Sequence, residues 1–81
     1  MGAANYPRAK AVELFHKKQF GLLREDDLMN FLPDGIFVAR LSNAPQCSRW
    51  RLYSDMAKTY IPNAEAPTVR TLLIEYYRRE S

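Results

Sequence analysis

The stretch Ile36 to Leu41, reading Ile-Phe-Val-Ala-Arg-Leu, restricts the possible architectures more than any other part of the chain. As a strand it places Ile36, Val38 and Arg40 on one face and Phe37, Ala39 and Leu41 on the other. Apolar residues on both faces predict a central strand, over 36–42, with cover on each side. Arg40 then sits on the inner pleat among apolar neighbours, where a guanidinium without a partner is strongly destabilising. The fold has to supply that partner, or a ligand does.

The flanking residues define the elements around this strand. Glu25, Asp26 and Asp27 precede Leu28, Phe31 and Leu32. Acidic residues favour the positive end of a helix, and the later spacing gathers three apolar groups on one face. A helix of about two turns over 24–32 is predicted, ended by Pro33 and turned by Asp34-Gly35. Residues 43–48 read as a polar loop containing Pro45. In 49–55, Trp50, Leu52 and Ser54 alternate with Arg49, Arg51 and Tyr53, the pattern of a second strand. A third strand is expected over 57–62, stopped by Pro62, and 62–67 reads as a linker.

Val69, Leu72, Leu73, Tyr76 and Tyr77 then recur at helical spacing, with Pro67 placed to open the helix. Near the start, Ala9, Val12, Leu14 and Phe15 fit a short helix between 8 and 20, although 12–16 also reads as a strand. Residues 1–7 read as a loose lead-in. The expectation is a single α+β domain over 1–81: a small antiparallel sheet of three strands, flanked by a helix on each face.

Composition narrows the function classes. The chain has 81 residues and a formal net charge of +3, too mild an excess to name an anionic partner. Its single cysteine, Cys47, cannot form an internal disulfide, and no Cys/His set has metal-ligand spacing, so no metal or other cofactor is expected. An intracellular, reducing, cytoplasmic setting is the simplest reading. No apolar run is long enough to span a bilayer, no signal peptide is visible, and position 6 lacks the Ser or Thr of a myristoylation signal. No membrane partner is therefore expected.

The residues around Arg40 suit a phosphate. A planar guanidinium grips phosphate oxygens through paired hydrogen bonds, and a bound anion removes the cost of the inward charge. The loop that follows Arg40 offers hydroxyls and amides but no carboxylate. Ser42, Asn43 and Ser48, with backbone N–H groups of a tight turn, supply further donors, and Arg24 at the helix start approaches from one side.

At this point the chain resembles the Src homology 2 domain family. "REDDLMNFLPDGIFVARLS" is similar to that family's Arg-Glu-Glu-Ala-Glu helix followed by its Gly-x-Phe-Leu-Val-Arg-x-Ser strand. "LFHKK" resembles the opening Trp-Phe-His-Gly-Lys, "AKTYI" the strand that usually carries Lys-His-Tyr, and "TVRTLLIEYYRRES" the second helix. The likeness runs over residues 14–80. It implies a phosphotyrosine-binding module, with Arg40 as the phosphate arginine, Ser42 as a phosphate ligand and Arg24 beside the ring. Asn43 and Ser48 would assist, and Lys58, Thr59 and Tyr60 would meet the peptide crossing the sheet. Thr59 stands where the family usually has histidine, and Leu41 where glutamate is common. The short connection from Tyr60 to the last helix resembles the compact branch found in signal-transducer transcription factors and Cbl-type ubiquitin ligases.

Other groups carry less chemistry. His16, the only histidine, has no Ser or Cys beside it at a recognisable nucleophile turn, so no triad and no enzyme is expected. Cys47 reads as a loop bystander, Trp50 as a core anchor, and Tyr76 and Tyr77 as packing residues of the last helix. Asp26 and Asp27 are adjacent and point about 100° apart on a helix, which does not make an acid–base pair. The alternative function is a basic, winged-helix-like nucleic-acid module using Arg49, Arg51, Arg70, Arg78 and Arg79. Because no helix presents a run of polar base-reading side chains, nucleic acid is the less favoured partner.

Overall fold

The computed structural model describes residues 7–80, so residues 1–6 of the lead-in expected at 1–7 lie outside the described residues, and Pro7 caps the start of the first helix. Helices α1 (Arg8–His16), α2 (Glu25–Asn30) and α3 (Val69–Glu80) accompany strands β1 (Ile36–Arg40), β2 (Trp50–Ser54) and β3 (Thr59–Ala66). Short 3₁₀ turns occupy Phe20–Leu22 and Gln46–Ser48.

Residues 12–16, open in the sequence between helix and strand, are helical. They do not continue to 20, because Lys18 takes the left-handed region at φ 61. Its N–H reaches the Phe15 carbonyl at 3.0 Å, and the Gln19 N–H reaches that of Leu14 at 2.9 Å. These bonds satisfy the last carbonyls of α1 and turn the chain away. The acidic start of α2 behaves as its composition predicts. The Arg24 backbone N–H donates to Asp27 Oδ2 at 3.3 Å, while Glu25 and Asp26 complete a negative first turn. After Pro33, Gly35 adopts φ +88, a region that residues with a Cβ rarely occupy.

The sheet is an antiparallel meander in the order β1-β2-β3. Phe37 lies opposite Tyr53, Val38 opposite Leu52 and Arg40 opposite Trp50. β3 pairs Tyr60 with Tyr53 and Glu65 with Arg51, with a register shift between them. The third strand therefore does not stop at Pro62, and 62–67 is not a linker. Pro62 lies within β3, an edge strand that tolerates a missing N–H, and Asn63 at φ 63 accompanies the irregularity.

Two expectations drawn from Ile36–Leu41 are corrected. β1 is an edge strand, with β2 as the central one, and the helices do not lie one on each face. One core gathers Ala11 and Leu14 of α1, Phe20, Leu23, Leu28 of α2, Leu52, Ala64 and Ala66 of the sheet, and Leu72, Leu73, Ile74 and Tyr77 of α3. α2 packs on α3, and α3 packs on β2 and β3. Leu52 is fully buried on one side of β2, whereas Phe37, pointing to the other side of the sheet, is 54% exposed. The physical reason lies in supply: the apolar stripes of all three helices are used by one another and by a single sheet face, leaving no element for the second among the described residues.

Candidate functional site

Arg40 is the last residue of β1, and its position follows from the strand's alternation. It shares a face with Ile36 and Val38 but lies past the core, and it is exposed. The inward arginine expected from sequence is corrected here, because an edge strand's end is open to water. The guanidinium sits 6.0 Å from the centroid of the Trp50 ring, directly across the β1–β2 pair. That is the outer limit of a cation–π contact. Arg40 makes no hydrogen bond or ion pair among the described residues.

The loop beside it is held by its own backbone. The Leu41 N–H donates to the Arg49 carbonyl at 2.8 Å, the Ala44 N–H to Leu41 at 3.1 Å and the Ser48 N–H to Pro45 at 2.9 Å. One Arg49 Nη adds a bond to the Ala44 carbonyl at 3.3 Å. Ser42 and Asn43 are exposed on this loop, next to Arg40. Ser48 is already engaged, since its hydroxyl donates to Glu65 Oε2 at 3.0 Å. Reading the loop alone missed that carboxylate. Glu65 arrives from β3, and only a third strand continuing past Pro62 carries it there.

Arg24 enters from another element. Arg70 at the start of α3 donates to the carbonyls of Gly21 at 2.6 Å and Leu23 at 3.3 Å. α3 follows directly on the end of β3 at Ala66, which pairs with Trp50, the partner of Arg40. Arg24 follows Leu23, which Arg70 ties to the start of α3. Lys58, Thr59 and Tyr60 lie away from Arg40. Thr59 pairs with Ser54, about 13 Å along β2 from Trp50. Tyr60 faces the opposite side of the sheet from Arg40, and Lys58 is paired with Asp55 at 3.3 Å. Arg40 and the loop carrying Ser42, Asn43 and Ser48 lie at one end of the sheet, and Lys58, Thr59 and Tyr60 lie at the other.

Three further surfaces were not legible from spacing. A groove of about 480 Å³ runs beside β1, lined by Met29, Leu32, Pro33, Ile36 and Val38 among others. A second depression of about 320 Å³ lies where α1, α2 and α3 end, walled by Phe15, Phe20, Phe31, Tyr76 and Tyr77 with His16, Lys18 and Glu80. His16 thus borders an aromatic cluster in which Phe15 stacks on Phe31 at 4.2 Å. The open sheet face carries Phe37 together with Tyr53 and Tyr60, whose rings meet edge-on at 5.3 Å, and Arg51 lies 4.9 Å over Tyr60. Cys47 is exposed.

Comparison with protein-family models, with curated proteins and with solved structures returns no match. Among the described residues, no helix is long and apolar enough to cross a membrane.

Proposed function

We propose that the chain is a non-catalytic binding module that captures phosphotyrosine on a partner protein. The observation that carries this reading is Arg40, a guanidinium with no hydrogen bond or ion pair among the described residues, beside a backbone-braced loop presenting Ser42 and Asn43. A loop already ordered by its own bonds loses little entropy when it meets an anion. Arg40 takes two phosphate oxygens, and Ser42, Asn43 and loop N–H groups take the others. In this reading Arg24, at the start of α2, completes the phosphate cage, and the Trp50 ring lies 6.0 Å from the Arg40 guanidinium. An exposed anchor of this kind fits a micromolar complex, about −8 kcal/mol. A cytoplasmic setting belongs to the same proposal.

The test is a titration of one phosphotyrosine peptide into the parent protein and into Arg40→Ala. Because Arg40 is exposed, the variant folds normally by circular dichroism and loses at least about tenfold in affinity. Equal affinity in the two proteins rejects the reading.

A second reading, capture of single-stranded nucleic acid, has one observation in its favour. Phe37, Tyr53, Tyr60 and Arg51 form an aromatic and basic sheet face with no helix over it among the described residues. Binding of an oligonucleotide that weakens steeply with salt, with no response to phosphotyrosine, selects this reading over the first.

A further inference from the structure

The two edges of the sheet are built differently. β3 is interrupted by Pro62 and by a register shift, and the Asn63 carbonyl is taken by Arg79 at 2.6 Å. Such devices blunt an edge against further pairing. β1 carries neither a proline nor a register shift.

The direction of its backbone groups follows from two bonds. The Asp55 N–H donates to Gly35, and the Leu41 N–H to Arg49, each at 2.8 Å. In an antiparallel pair, alternate residues bond the neighbour, so residues 35, 37, 39 and 41 turn toward β2. Ile36, Val38 and Arg40 turn their backbone groups outward. The Ile36 N–H is used by the Pro33 carbonyl at 3.2 Å. Among the described residues, no strand pairs with the remaining outward groups.

The side chains of those same residues face a consistent chemistry. Ile36 and Val38 wall the groove with Leu32 and with Met29, which is 40% exposed, and Asp34 also lines it; Arg40 follows two residues beyond Val38 on the same face of β1, outside the lining. Apolar contact and positive charge are thus laid along one unpaired edge, with Arg40 four residue steps from Ile36, about 13 Å.

We propose that the β1 edge takes an extended segment of a partner protein as a fourth strand. An anionic side chain lies beside Arg40, and an apolar one, four residues away, enters the groove at Met29 and Leu32. The identity of the anion as phosphate rests on the function proposed above. The strand pairing rests only on the edge and its groove. Backbone bonds supply affinity, and the alternate side chains supply selectivity.

The probe is acetyl-Thr-Leu-Thr-Val-Thr-pTyr-Thr-Val-Thr-Leu-Thr-amide, which offers leucine on either side of the phosphotyrosine and so suits both strand directions. Two further versions carry N-methyl groups on one alternate set of amides or on the other. Binding is expected to fall at least about tenfold for one set and less than about twofold for the other, and at least about tenfold for Met29→Glu. If both methylated peptides bind like the parent while Arg40→Ala and removal of the phosphate abolish binding, strand addition is overturned and phosphate capture stands. If one methylated set loses binding but the phosphate and Arg40 do not matter, strand addition stands and phosphate capture is overturned. A dimer in sedimentation that the peptide does not dissociate assigns the edge to a second copy and overturns the proposal, as does absence of peptide binding.

Discussion

The Tyr77 hydroxyl donates to the Leu28 backbone carbonyl at 2.5 Å, joining α3 to α2 across 49 residues of sequence. The bond is buried, and it fixes the end of one helix on the middle of the other.

Tyr77→Phe removes that bond and keeps the ring. The Leu28 carbonyl retains the Phe31 N–H at 3.2 Å, so the expected loss is about 1 kcal/mol by urea denaturation. The pH dependence is more diagnostic. Burial first, then the neighbouring Tyr76, raises the Tyr77 hydroxyl above its ordinary value of 10.0. Its contribution is complete below pH 10.0, where the unfolded tyrosine is still neutral. Above that, ionisation favours the unfolded chain, and the contribution is lost as pH climbs toward the folded value. Stability of the parent should fall more steeply than that of Tyr77→Phe above pH 10.0.

Leu52 and Phe37 test the one-sided core. Leu52 is fully buried, so Leu52→Ala should cost about 2–5 kcal/mol in chemical denaturation. Phe37, though aromatic and on the adjacent strand, is 54% exposed, and Phe37→Ala should change stability by less than about 1 kcal/mol. Comparable losses in the two variants contradict a bare second face.

Glu65 holds the Ser48 hydroxyl at 3.0 Å and places a carboxylate near the proposed anion loop. Glu65→Gln keeps the side chain's shape, frees the site of that negative charge and should tighten phosphotyrosine-peptide binding by about twofold to tenfold. Weaker binding by calorimetry contradicts the placement of the anion beside this loop.

Lys18 holds φ 61 without glycine's freedom. Lys18→Gly relieves the left-handed strain while keeping the backbone bonds that close α1, and should stabilise the protein by about 0.5–1 kcal/mol in thermal unfolding.

How much of this was written in the residues varies by level. Alternation located β1 and β2, and the acidic turn before Leu28 located α2. Both signals are local, so tertiary context did not displace them. β3 was cut short at Pro62 because proline's cost depends on whether a strand is internal or at an edge, and that is a property of the sheet. The larger error has the same origin. Periodicity says that Phe37, Ala39 and Leu41 share a face, but not whether any helix is left to cover it. For the proposed site, the residues name Arg40 and its loop as candidates but not that Arg40 is exposed, nor the Glu65 carboxylate or the Met29 groove. The last two each come from an element remote in sequence, joined to the loop or strand only by the fold.

The Arg70 bonds to Gly21 and Leu23 and the Tyr77 bond to Leu28 all reach back to the segment 21–28. α2 and α3 therefore support each other through contacts far apart in sequence, and loosening either one loosens its partner.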